Sequence, residues 1–423
     1  MVIMKAVLSN RIYLELSPDD MRRVKEELTY RIPTYGDGPP MIVQNYYMFK
    51  AGILSIPAGR KDLIPPGHTI VEKRTLAPID FPKFKFELRE SQQDIYDAVD
   101  DNCLINAKVG WGKTYMALAL AAKLGQKTLV VVHTLPLMHQ WAKDVEACFG
   151  FKPGLVGGGH ENYNSPIVIG NVGTLERRTA KINKTFGTVI MDEVHHAPSR
   201  TFSKVIDSNF ARYKIGLSGT LQRKDGLHVV IPNYFSAKTF KPEVENTVAP
   251  IIHAHHTGIW LPFGNVWAHR VSDLHADPAF QNWTASTVEG YVKLGHQVLL
   301  VADRVDFLKM MHARLGGSIT IGETEDRDAQ LDKIYSGESR TMSGTLQIWK
   351  EGISCNPLSC LVQGSPINNE PMLEQVIGRV QRLHPGKLPP IVADPVLRGP
   401  TGENQFTNRH GFYMRQGWEI KHF

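Results

Sequence analysis

The sequence predicts an α/β protein: two doubly wound parallel-sheet domains preceded by a small α+β domain. Three observations predict it. From residue 85 onward, short fully apolar runs alternate with helix-length amphipathic runs, as strands buried on both faces and joined by crossover helices require. A glycine-bearing turn, AKVGWGKT (Ala107 to Thr114), joins one apolar run to the helical stretch YMALALAAKL. A second apolar run ends in two carboxylates, VIMDEVHHAP (Val189 to Pro198).

A length of 423 residues, 42% apolar, is enough for two or three domains. The 48 basic against 42 acidic side chains give a formal charge of +6 and a pI near 8.9. That balance mildly favours a polyanionic partner, and equally describes a soluble surface with some excess Lys. Cys103, Cys148, Cys355 and Cys360 are scattered without a C-x-x-C pair, which excludes a zinc knuckle and reads as a reduced, intracellular chain. His253, His255 and His256 lack partner Cys or carboxylate spacing, so a structural or surface role is expected of them. The amino-terminal residues lack a signal-peptide pattern, and no apolar run approaches the ~18 residues of a membrane span. No membrane partner is expected.

Residues 1–84 read as the small α+β domain. A strand-like start, Ala6 to Leu14, leads to the helical SPDDMRRVKEEL, with Ser17 as N-cap and acids in its first turn. Gly36, Gly38, Pro39 and Pro40 break the chain before the strand-like MIVQNYYMFK and a hairpin-like return, AGILSIPAG. Its basic side chains (Arg22, Arg23, Lys25, Arg60, Lys61) and aromatics (Tyr46, Tyr47, Phe49) suit a nucleic-acid backbone and its bases. They suit a self-packed core with a solvated face equally well. Pro65, Pro66, Pro78 and Pro82 mark an extended linker.

Residues 85–245 form the first α/β domain, with strands expected at Cys103 to Asn106, Thr128 to His133, Ile167 to Ile169, Thr188 to Met191 and Tyr213 to Leu217. A less regular connection, Ala237 to Trp260, follows. The second domain, 246–423, has strands expected at Val298 to Val301, Ser318 to Ile321, Thr341 to Leu346, Cys360 to Gln363 and Ile391 to Ala393, and no second turn of the AKVGWGKT kind.

The turn at Ala107 to Thr114 is a phosphate loop. Glycines let successive backbone N–H groups curl around phosphate oxygens, and the helix that follows adds the positive end of its dipole. Val109, Gly110, Trp111 and Gly112 supply the backbone, Lys113 a charge for the β- and γ-phosphates, and Thr114 a hydroxyl for Mg²⁺. Ala107 stands where the full pattern has its first Gly. At the carboxyl end of its strand, Asp192 is placed to hold Mg²⁺ and Glu193 to orient and deprotonate the water that attacks the γ-phosphate. Ser218, Gly219 and Thr220 close the next strand near those carboxylates, where Ser218 and Thr220 could sense the γ-phosphate; an ordinary strand-end turn would look the same. In QVIGRVQR (Gln375 to Arg382), Arg379 and Arg382 lie three apart on one expected helix face. They suit stabilisation of charge on the γ-phosphate, and a solvated basic face is the competing reading.

Together these motifs resemble a superfamily 2 helicase or translocase, and most closely the branch of the XPB-type helicases and phage UvsW-type branch-migration helicases. The matching residues run in the family's order from Leu88 to Arg382. LRESQ resembles the adenine-reading element and puts Gln92 on the base; AKVGWGKT resembles motif I, and VVVHTLPLMHQW motif Ia, with Thr134 near the DNA backbone. GNVGTL resembles motif Ib, with Thr174 as its nucleic-acid residue, and DEVHH motif II, with His195 in a coupling role. GLSGTLQRKDG resembles motif III and the turn after it, carrying Arg223, Lys224 and Asp225. QVLLVADRVD resembles motif IV, SGTLQIWKEGIS motif V with Glu351 and Gly352, and QVIGRVQR motif VI with Gln375, Gly378, Arg379 and Arg382. Gly219 and Leu221 replace the family's usual Ala and Pro, and Ser354 stands where Asp is frequent; no phosphate, metal or arginine group is missing.

The resemblance implies two RecA-like domains binding ATP and Mg²⁺ between them, with Gly352 among the nucleotide contacts. It implies an ATP-dependent DNA helicase acting on forked, branched or single-stranded DNA in replication, recombination or repair. A monomer in the cytoplasm of a bacterial or phage-infected cell is expected. An RNA helicase and a duplex translocase that never separates strands carry the same motifs. A nucleotide-gated binding module is the reading from another class, and the intact Glu193, Arg379 and Arg382 count against it.

Overall fold

The computed structural model describes residues 4–33, 38–49, 52–108, 110–219, 221, 223, 225–243, 247–350, 353 and 355–423. Gly36, Val109, Thr220, Lys224, Glu351, Gly352 and Ser354 therefore lie outside the described residues. The chain forms two compact units, Met1–Glu245 and Asn246–Phe423.

The first unit is built on an eight-stranded sheet. In spatial order its strands are His160–Glu161, Gly154–Gly157, Ile167–Asn171, Thr128–Val132, Thr188–Met191, Tyr213–Ser218, Cys103–Asn106 and Thr239–Phe240. Every pairing is parallel except the short outer one to His160–Glu161. Alternation along each strand feeds two separate cores. Ile105, Val130, Val132 and Ile190 point into one, and Leu104, Leu129, Val131 and Met191 into the other. Both faces are thus covered by helices, which is why these strands read as unbroken apolar runs.

The second unit repeats the plan with seven strands, all parallel: Ser318–Thr320, Thr341–Thr345, Val298–Ala302, Cys360–Gln363, Ile391–Arg398, Ile251–Trp260 and Ile420–His422. Leu299, Val301 and Leu361 fill one core; Val298, Leu300, Cys360 and Val362 fill the other. The two RecA-like, doubly wound sheets are present. Among the described residues no helix is long and apolar enough to cross a membrane.

Several local expectations are corrected. The irregular connection Ala237 to Trp260 contains the edge strand Thr239–Phe240 and the ten-residue strand Ile251–Trp260. In the latter, apolar Ile252 and Ala254 alternate with histidines that sit at partly covered positions, so the run looks polar. Ala6 to Leu14 is a hairpin, with strands Lys5–Leu8 and Ile12–Leu14 antiparallel about a turn closed by Ser9 N–H to the Arg11 carbonyl, 2.9 Å. The helix expected through Arg382 stops at Ile377. Gly378 ends it, and the chain swings out to meet Thr247 and Val248, whose N–H reaches the Gln381 carbonyl at 3.0 Å.

The amino-terminal module has its own small core, including Leu8, Leu14, Val24, Leu28 and Leu54. Ser17 caps the helix Pro18–Glu27, its oxygen accepting from Asp20 N–H at 3.1 Å. The proline-marked segment after the module is extended but not loose. It carries the strand Thr69–Glu72 and is then stitched along the sheet's amino-terminal edge by Thr75 N–H to Phe210 O and Lys127 N–H to Ala77 O, both 2.7 Å. Asp101 gathers Lys61, Arg74 and Arg212 where module and sheet meet.

Candidate active site

Strand order puts several of the first unit's expected site residues on one rim. The carboxyl ends of Cys103–Asn106, Tyr213–Ser218 and Thr188–Met191 are adjacent, and they carry the phosphate loop, Ser218 and the Asp192–Glu193 pair in turn. The next two strand ends carry Thr134 and Thr174. Asn171 Nδ2–H bridges them by donating to the His133 carbonyl at 3.2 Å.

In the phosphate loop, Gly110 and Gly112 take φ of 92° and 91°, open to glycine at little cost. A Cβ on Gly112 would fall 2.8 Å from Gln92 Nε2. The helix Lys113–Leu124 starts directly behind it. Lys113 folds its ammonium back over the loop and donates to the carbonyls of Ala107 (2.7 Å) and Lys108 (3.4 Å), and Thr114 follows at the second helical position. Trp111 enters the site only by its backbone, because its ring is wholly buried in the core with Nε1–H on Ser91 Oγ, 3.0 Å. Gln92 is also buried. Its Oε1 accepts from Arg89 N–H at 3.1 Å and its Nε2–H donates to Trp111 O at 2.9 Å, where the Arg89 guanidinium also bonds. The expected adenine-reading glutamine is therefore tied to the loop.

Asp192 is buried, with Oδ2 accepting from Trp141 Nε1–H at 2.8 Å and Oδ1 from Glu193 N–H at 2.9 Å. Burial raises its pKa to about 6, and the adjacent Glu193 charge adds to that. Glu193 goes the other way. Burial would raise it too, but His195, Lys113 and His133 outweigh burial and hold it near 2. Burial thus works against charge on Asp192, while the neighbouring basic groups favour charge on Glu193.

Glu193 is also the one non-glycine residue with positive φ among the described residues, at 51°. Left-handed backbone costs an L-residue about 1–2 kcal/mol, and such strain collects at functional positions. Its Oε2 lies 3.2 Å from His195 Nδ1 as a charge contact, yet has no hydrogen-bond partner of good geometry among the described residues. His195 Nδ1 is also 3.4 Å from Ser218 Oγ, joining motifs II and III. Behind it, the His196 ring lies tilted against His133 and His195, centroids 4.8 and 4.2 Å away; burial, with both neighbours, lowers its pKa to about 3. Arg223 donates Nη1–H to the His195 carbonyl and grips Asp225 at 2.5 and 2.9 Å. No sequence signal foretold the Glu193 backbone or the Trp141 bond, which joins residues 51 apart in the chain. Thr134 Oγ1 accepts from Leu137 N–H at 3.3 Å as N-cap of Leu135–Phe149, and Thr174 lies in Val172–Glu176.

In the second unit Arg379 is buried. Its guanidinium bonds the carbonyls of Trp349 and Lys350, both 2.9 Å, at the end of the helix Leu346–Lys350. It therefore links motif VI to motif V. Gln375 sits in the helix Glu370–Ile377 and Arg382 beyond it, not on a shared helical face.

These residues fit a Mg²⁺–nucleotide. The loop can curl around phosphates, and a buried carboxylate with a raised pKa suits a cation. Among the described residues no group of three or more His, Cys, Asp or Glu could hold a metal alone. An ion held by one hydroxyl, one carboxylate and phosphate oxygens needs no such cluster.

Residues 85–223 match the family described as type III restriction enzyme, res subunit. The chain is 42% identical to the probable helicase D10 of Escherichia phage T5 over 98% of its own length and 95% of that protein's. It is 31% identical to the DNA 3'-5' translocase XPB2 of Sulfurisphaera tokodaii over 43% of its length and 42% of that protein's. Among solved structures, a fragment of a putative HsdR subunit of a type I restriction enzyme from Vibrio vulnificus shares the fold: TM-score 0.59, 15% identity, 80% of this chain and 69% of that one. A phosphate loop and a carboxylate pair on one sheet rim, with near full-length similarity to a phage helicase, identify the chain as a member of the superfamily 2 DNA helicases and translocases, which are ATP-dependent enzymes.

Proposed function

We propose that the first unit's rim hydrolyses Mg²⁺–ATP and that the protein uses the cycle to move along and remodel forked or branched DNA in replication, recombination or repair. The observation that carries the reading is Glu193. A carboxylate at the end of a buried strand, held in left-handed backbone with its Oε2 3.2 Å from His195 Nδ1, is placed to orient a water and take its proton. Lys113 and the backbone of Gly110, Trp111 and Gly112 hold the phosphates. Thr114 and Asp192 would hold Mg²⁺, which when bound supplies positive charge against the β- and γ-phosphates. Val109 and Gly352 are assigned to the nucleotide from sequence, and Gln92 holds the loop's shape beside the base. His195, Ser218, Thr220 and Arg223 relay the state of the site to the polymer, which Thr134 and Thr174 grip by its backbone. In the second unit Arg379 ties motif VI to motif V.

We assign residues 1–84 to substrate choice, 85–245 to the hydrolytic domain and 246–423 to the second motor domain. Backbone contacts carry little sequence information and weaken steeply with salt. The test is steady-state ATP hydrolysis at low salt with single-stranded, duplex, forked and four-way-junction DNA and with RNA, Lys113→Ala serving as blank. Strongest stimulation by forks or junctions supports the proposal. Strongest stimulation by RNA, or by none of these, sinks it.

A further inference from the structure

The amino-terminal module carries a two-stranded antiparallel ribbon, Thr29–Ile32 with Met41–Gln44, that belongs to no larger sheet. Its register pairs Thr29 with Gln44, Tyr30 with Val43, Arg31 with Ile42 and Ile32 with Met41. Because successive side chains point to opposite faces, the ribbon has two distinct surfaces.

The inner face is docked on the hydrolytic domain. Tyr30 and Val43 pack on one of its two cores, and Tyr30 OH donates to Asn233 Oδ1 at 3.0 Å. Ile32 is buried against the turn that follows motif III: a Cβ on Gly226 would fall 2.4 Å from Ile32 Cγ2. Gly226 N–H donates to the Arg223 carbonyl at 3.2 Å, and the Arg223 side chain holds the carbonyl of His195. Four residues therefore connect the ribbon to the strained Glu193 turn.

On the outer face Thr29 is part-covered, its hydroxyl donating to the Lys25 carbonyl at 2.7 Å, and Arg31, Ile42 and Gln44 are exposed. Arg31 is exposed, and Ile42 opposite it is 60% exposed, flanked by Thr29 and Gln44. A branched apolar side chain at the centre of an open ribbon, paired with a guanidinium and next to an exposed amide, is a poor solvent surface. It is a good match to a polymer that alternates phosphate with sugar and base. Residues 1–84 carry twelve Lys and Arg against nine Asp and Glu, complementary to a polyanion.

We propose that the outer face of this ribbon is a DNA-contact surface, with Arg31 on phosphate and Ile42 against sugar or base. The inner face carries that contact through Ile32, Gly226 and Arg223 to the Glu193 turn. Arg223 is a positioning residue in this scheme. The proposal rests on the DNA-stimulated hydrolysis proposed above and names the surface that senses the polymer.

The test uses the full chain, a fluorescent forked DNA and its RNA counterpart, reading binding by anisotropy and ATP hydrolysis against DNA concentration. Arg31→Ala with Ile42→Ser raises the DNA concentration for half-stimulation roughly tenfold and reduces the salt slope of binding by about 1. Ile32→Ala leaves fork binding unchanged but lowers the maximal DNA-stimulated rate about fivefold, and Ile32→Val restores it. Thermal unfolding of each variant checks the fold. A double variant that binds and responds like wild type overturns the contact surface, and an Ile32→Ala protein with full maximal rate overturns the coupling. Losses confined to RNA overturn the DNA assignment. A wild-type chain that no DNA stimulates overturns the proposed function itself, which separates that failure from a failure of the ribbon alone.

Discussion

In the first unit the strand Thr188–Met191 ends in Asp192 and Glu193, two carboxylates whose immediate surroundings leave work undone. One has its pKa pushed up by burial, and the other holds a buried oxygen with no hydrogen-bond partner among the described residues. In the second unit the strand Ile391–Arg398 also buries a carboxylate, Asp394, and there both carboxylate oxygens are answered. Arg409 Nε–H and Nη2–H donate to it at 2.8–3.1 Å, Tyr413 OH donates at 2.9 Å, and Gln363 Nε2–H donates to Tyr413 OH at 3.2 Å. Two parallel sheets of one architecture thus use buried charge in opposite ways. Where the fold satisfies the charge internally it is a fastener between a strand and the helix Pro400–Arg415; where it does not, it is a site for something that arrives.

The comparison can be broken by substituting on either side. Lys113→Ala should lower kcat/KM for ATP by roughly 10²–10³ while changing urea unfolding little, since besides a donor to phosphate it removes hydrogen bonds within the loop and nothing apolar from a core. A drop in stability of the same protein would make the loop structural. Asp394→Ala should do the reverse. Leaving Arg409 buried and unanswered costs about 3–5 kcal/mol, read as an earlier unfolding transition. If that protein unfolds like wild type, the fastener reading is wrong.

How much of this contrast was legible in sequence follows from range. The phosphate loop and the DEVHH run are local strings, so spacing alone places them, and parallel-sheet logic puts their strand ends on one rim. The Asp394–Arg409 pair joins a strand to a helix, and no local string announces it. Glu193's left-handed backbone has no signature in VIMDEVHH, since Glu is not a residue that favours positive φ. The strand Ile251–Trp260 was hidden because histidines fill its half-covered positions. The helix through Arg382 failed for a different reason: Gly378 and the pairing at Thr247 outcompete local propensity.

Smaller effects sharpen the account. Asp101 has a pKa lowered from 3.8 to about 2: burial opposes this, but Lys61, the Asn102 N–H and Arg212 outweigh it. Its contribution is therefore fully present above pH ~4 and is lost as pH falls toward ~2. Asp101→Asn should cost about 1–2 kcal/mol at pH 7 and almost nothing at pH 2, measured by urea unfolding at both. An equal loss at both pH values would show that charge is not what joins module and sheet there. Glu193→Gly, relieved of its left-handed penalty, should unfold about 1 kcal/mol later than wild type and hydrolyse no ATP. A midpoint that falls instead would mean the Glu193 side chain stabilises the fold.

Steady-state ATP hydrolysis by Glu193→Gln, beside wild type on forked DNA at low salt, tests the central claim most directly. The substitution keeps shape and removes the base. A rate lower by roughly 10²–10⁴, with nucleotide and DNA still bound, is the predicted result. Hydrolysis at the wild-type rate would contradict the assignment of Glu193 and, with it, the placing of the hydrolytic centre on the first unit's rim.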